Sequence, residues 1–73
     1  MENQTQIPLL RMLLARLERV SADSRWAHRA SGIRGALLVL LERLETGAPT
    51  PSARLDQLMD SGFQILVMAA REK

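Results

Sequence analysis

Cysteine and tyrosine are absent from the 73 residues, and Trp26 and Phe63 are the only aromatics. Without cysteine there are no disulfides and none of the usual thiolate metal sites. His28 is the single histidine, so a structural zinc would have too few ligands. Scaffolds this small need disulfides, metal, oligomerisation or very good helix packing, and only the last two remain. β-Branched and aromatic residues are scarce beside leucine, alanine and arginine, a balance that favours helix over strand. No apolar run approaches the roughly 20 residues that span a bilayer; the longest are 35–41 and 65–70. Residues 1–6 are polar and lack the layout of a signal peptide, so a short disordered N-terminus and a soluble, cytoplasmic chain are expected.

Charge of one sign is also lacking. The net charge is only +2. The calculated pI of about 10.5 reflects nine arginines and no tyrosine rather than a strong positive field, so composition gives nucleic-acid binding little support.

What the chain does have is helical periodicity. The length suits one domain, and the spacing predicts three helices at about 8–20, 24–46 and 51–71. In the first, Leu10, Leu13, Leu14, Leu17 and Val20 recur at three- and four-residue steps and mark one buried stripe, widened by Leu9 and Met12. Pro8 suits a helix start. Ser21, Asp23 and Ser24 then offer three N-cap residues within four positions, so a second helix is expected to begin near Ser24 rather than continue the first through a bend. Its main stripe is Trp26, Ala30, Ile33, Leu37, Leu40, Leu41 and Leu44, and Gly47 suits the position just past its end. A second line runs Ala27, Ser31, Gly35 and Val39, with Gly32 beside it. Glycine inside a helix costs about 1 kcal/mol relative to alanine, and close approach of another helix would offset that. Residues 47–52 form the one clear linker, with Thr50 or Ser52 as a cap for the third helix. There Leu55, Met59, Gly62, Leu66, Ala69 and Ala70 form the stripe, widened by Leu58, Phe63, Ile65 and Val67. The period carries through Gly62, so this helix is expected to be continuous.

The fold expected is therefore all-α, an antiparallel three-helix bundle completed by dimerisation. The apolar lines of the second and third helices exceed what one stripe against a small bundle requires. An antiparallel order also gathers Arg16, Arg19, Arg25, Arg29, Arg71 and Lys73 with Glu18, Asp23 and Glu72 at one end. Glu2, Glu42, Glu45, Asp56 and Asp60 gather with Arg11, Arg43 and Arg54 at the other. One end is basic and the other acidic.

Catalysis has little to stand on. Ser24, His28 and Ser31 share a helix face with Asp23 nearby, but no oxyanion-hole turn accompanies them. The segment 31–35 has two glycines without the spacing of a phosphate-binding loop. No catalytic residue, cofactor or metal site is expected. The reading is a non-enzymatic protein-interaction or assembly module, partnered by a second copy or by a larger protein, with Ala27, Ser31, Gly35 and Leu38 as the contact residues. The alternative is a small nucleic-acid-binding or regulatory helical protein, in which Arg25, Arg29 and Arg34 form a basic patch and Trp26 stacks on a base.

Overall fold

The computed structural model describes residues 6–72, so the expectations for the first five residues and for Lys73 lie outside it. The described chain is an all-α three-helix bundle: α1 (Ile7–Glu18), α2 (Ala27–Glu45) and α3 (Ser52–Ala70). It measures 40 × 17 × 15 Å, a single helix-length rod. Arg11 pairs with Glu45, and Glu18 approaches Arg34 at 3.8 Å, so α1 and α2 run antiparallel. Leu13 packs on Gly62, and Arg16, Arg19 and Val20 share a groove with Leu66, Ala69 and Ala70. α1 and α3 are therefore parallel.

α1 ends two residues earlier than its periodicity suggests. The N–H groups of Arg19 and Val20 bond back to the carbonyls of Arg16 and Leu17 at 3.1 and 3.2 Å, a three-residue step that tightens and closes the last turn. α2 begins at Ala27, later than the expected Ser24, because the serines serve turns instead of an N-cap. Ser24 N–H bonds the Ser21 carbonyl at 2.9 Å, and Ala27 N–H bonds the Ser24 carbonyl at 3.1 Å. The Ser21 hydroxyl accepts from Asp23 N–H at 3.2 Å, and the Ser24 hydroxyl accepts from Trp26 N–H at 3.0 Å. These turns separate α1 from α2 and exclude one long bent helix.

The end of α2 follows the sequence closely. Gly47 has φ +77°, a conformation costly for residues with a Cβ. Ala48 N–H bonds the Arg43 carbonyl at 2.9 Å, and Gly47 N–H bonds the Leu44 carbonyl at 3.2 Å. That pair of bonds is the Schellman arrangement, which satisfies carbonyls the helix leaves over. The Arg43 side chain then donates to the Pro49 carbonyl, at 2.9 Å from Nη2, and ties down the linker. Neither Thr50 nor Ser52 caps α3 through its side chain. Pro51 occupies the cap position, and the Thr50 hydroxyl donates to the Ala48 carbonyl at 3.1 Å. α3 runs unbroken through Gly62.

The core is Leu10, Leu13, Leu14 and Leu17 of α1, Ala30, Leu37, Leu40 and Leu44 of α2, and Leu55, Met59 and Ile65 of α3. Fully burying a side chain of this kind contributes about 1.5–3 kcal/mol. Trp26, Ile33, Leu41, Leu58, Phe63 and Leu66 pack partly buried against it. No polar or charged residue is buried among the described residues. Two expected stripes are narrower than the spacing implied. Leu9, Met12 and Val67 are exposed, and Ala70 is exposed as well. The reason is angular: at about 100° per residue, Leu9, Met12, Val67 and Ala70 lie well round their helices from the centres of the buried stripes.

Candidate interaction face

The residues expected to make contact lie on α2; Leu9 and Met12 on α1 and Val67 on α3 are further exposed apolar side chains. The four expected contact residues are not equivalent. Ala27 is half-buried and borders α1, sharing a depression with Leu17, Glu18, Val20, Ser31 and Arg34. Ser31, Gly35 and Leu38 are exposed. Leu38 is 42% exposed, and its neighbour Val39, at 56%, is the most exposed large apolar side chain described.

The helical repeat explains the arrangement. His28, Gly35 and Glu42 follow at seven-residue steps, two helical turns apart. Ser31 and Leu38 flank that line on one side, Gly32 and Val39 on the other. All seven are exposed, so they constitute the outward face of α2. The two glycines make this face a notch. A Cβ built at Gly32 or Gly35 would meet nothing within 4 Å. Close approach of another element of the same chain therefore does not account for them. That role belongs to Gly62 on α3, where a Cβ would stand 3.0 Å from Leu13 Cδ2.

The three arginines of the expected basic patch each have a different neighbour. Arg25 Nε lies 3.6 Å from Glu72, and Arg34 Nη1 lies 3.8 Å from Glu18. Arg29 stands 5.5 Å above the Trp26 ring, within the range of a cation–π contact. Trp26 itself packs against the core. His28 is exposed, and no depression brings it together with Ser24 or Asp23.

Sequence reasoning missed the group that secures the start of α2. The Glu72 carboxylate accepts from the Ser24 hydroxyl and, at 3.1 Å, from Arg25 N–H. It thus meets unpaired donors near a helix start with negative charge, which explains how this end tolerates Arg25, His28 and Arg29. Glu72 lies 48 residues from Ser24, so no local pattern could reveal the contact. The Ser24 hydroxyl holds the Glu72 carboxyl below the usual carboxylate range. Partial burial opposes this, and the N–H and charge of Arg25 reinforce it. A carboxyl depressed in the folded state contributes stability above its unfolded pKa and loses that contribution as pH falls through the folded value. Glu72→Gln should therefore flatten the acid limb of the stability curve, read from urea melts across the acidic range. An unchanged limb would remove Glu72 from this role.

Among the described residues, no group of three or more histidines or carboxylates is placed to hold a metal ion, and no helix is long and apolar enough to cross a membrane. An open groove of about 470 Å³ lies between the end of α1 and the end of α3, with Arg16, Arg19, Asp23 and Glu72 at its rim and Leu66 and Ala69 in its wall. No protein-family model, curated protein or solved structure matches the chain.

Proposed function

We propose that this protein is a non-enzymatic assembly module of the cytoplasm, working as a homodimer through the outward face of α2. One observation carries the reading. Gly32 and Gly35 stand in open space beside the exposed Leu38 and Val39, on a helix whose opposite face is fully used by the core. Two interior glycines cost a lone chain about 1 kcal/mol each in helix propensity and bring it nothing. Against a second helix they permit close backbone approach, and Leu38 and Val39 then lose water. Two-fold dimers are the commonest oligomers, and their interfaces are self-complementary. Only a face that carries both the projections and the recess for them meets that requirement.

The test is Gly35→Leu, followed by sedimentation equilibrium and circular dichroism. The side chain has room in the folded chain, so helicity stays intact while the dimer dissociates to monomer. A dimer that survives with an unchanged melting temperature places the contact elsewhere.

A further inference from the structure

We propose that the two α2 helices meet antiparallel, with the two-fold axis passing beside Gly35, so that each copy seats Leu38 and Val39 on the other's Ser31 and Gly32. This rests on the homodimer reading and adds its geometry.

The register follows from the helix alone. A two-fold axis perpendicular to both helices at Gly35 reverses position along the helix and keeps each flank on its own side, so a residue meets the same-flank residue most nearly as far on the other side of Gly35. Val39, four residues after Gly35, then falls over Gly32, three before it. Leu38, three after, falls over Ser31, four before it. Each large exposed side chain meets a small exposed residue, and the two glycines at the centre set the close approach. The parallel alternative puts Leu38 against Leu38 and Val39 against Val39 at one level, and leaves Ser31 and Gly32 facing each other across a gap at another.

Charge selects the same arrangement. On the outward face, His28 stands in the first turn of α2 and Glu42 in its final turns, while Arg29 lies over the Trp26 ring and Glu45 pairs with Arg11. Arg43, the one cation of those turns, is turned aside onto the Pro49 carbonyl. Antiparallel packing brings Glu42 of each copy opposite His28 of the other. Parallel packing sets Glu42 against Glu42, and such a like-charge contact penalises an interface.

A chain without cysteine makes the test clean. Ser31→Cys and Leu38→Cys are prepared as separate variants, mixed, and oxidised with glutathione. Their disulfides are sorted by mass spectrometry, and the mass of each unoxidised variant is measured by light scattering. Both positions are exposed, so the fold of each chain is kept. Seven residues separate them, about 10 Å along a helix, beyond the Cα separation of about 4.4–6.8 Å that a disulfide spans. The antiparallel register predicts that nearly all cross-linked material joins Ser31→Cys to Leu38→Cys. Disulfides joining each variant to itself would show parallel packing and overturn the register while leaving the dimer. A dimeric mass without cross-linking would move the interface off this face and overturn the register too. A monomeric mass at all concentrations would remove the homodimer itself.

Discussion

Replacing Leu37 by alanine is expected to cost about 2–5 kcal/mol, the range for truncating a fully buried leucine. Leu37 is 0% exposed and sits in the middle of α2, between the two other helices. The loss has two parts, the transfer free energy of the removed carbons and the cavity they leave. The cavity is hard to close here, because the surrounding leucines belong to helices held in register at both ends, by Arg11–Glu45 and by Glu72 on Ser24. Stability of about 0.05–0.15 kcal/mol per residue puts a chain of this length near 4–11 kcal/mol. Leu37→Ala therefore removes a large fraction of the total, and urea denaturation should show a midpoint lowered by a third or more. A change below about 1 kcal/mol would mean that α2 is not the centre of the core.

The second large effect is expected at Gly62. Its missing Cβ is what allows α1 and α3 to touch, with Leu13 Cδ2 only 3.0 Å from the position a Cβ would take. Leu13 is itself 0% exposed, so it must shift within a packed core to make room. Gly62→Leu inserts four carbons at this contact. Overpacking of that kind costs about 1–3 kcal/mol and occasionally more, against a gain of about 1 kcal/mol in helix propensity. The net result should be a lowered melting temperature and a weakened α1–α3 contact, visible in thermal melts and in the amide exchange of α1. A more stable variant would contradict the close approach. Gly35→Leu makes a useful contrast. It is the same substitution on a helix of the same length, with no obstacle inside the chain, so its effect falls on association rather than folding.

These two glycines show where sequence reasoning stops. Gly35 and Gly62 both interrupt helices of high apolar content, and nothing local distinguishes them. The buried stripes were legible because a helix repeats every 3.6 residues, and a face that must lose water records that period. Leu37, Leu40 and Leu44 could be read directly from it, as could continuity through Gly62. The C-terminus of α2 was legible because the left-handed conformation at Gly47 restricts the residue type. The N-terminus of α2 was displaced because Ser21 and Ser24 can cap a turn as readily as a helix. Glu72 was invisible because its partners, Ser24 and Arg25, are 48 and 47 residues away along the chain. Leu9, Met12 and Val67 stand in solvent because they point well round the helix from the buried stripe, and only the packed structure fixes how wide a stripe its neighbours cover.

The face of α2 is the part of the site that the sequence did outline. Ser31, Gly35 and Leu38 are exposed on one surface, while Ala27 leans toward α1 and is largely used within the chain. Arg25, Arg29 and Arg34 each stand beside a different neighbour, Glu72, Trp26 and Glu18, and composition cannot record that.

The most direct measurement is the solution mass of the unaltered chain by light scattering, over a concentration series at low and at high salt. The outward face of α2 predicts twice the chain mass at low salt. It also predicts a shift toward monomer as salt screens the contacts between Glu42 and His28. A single chain mass at every concentration and both salt levels would contradict the account.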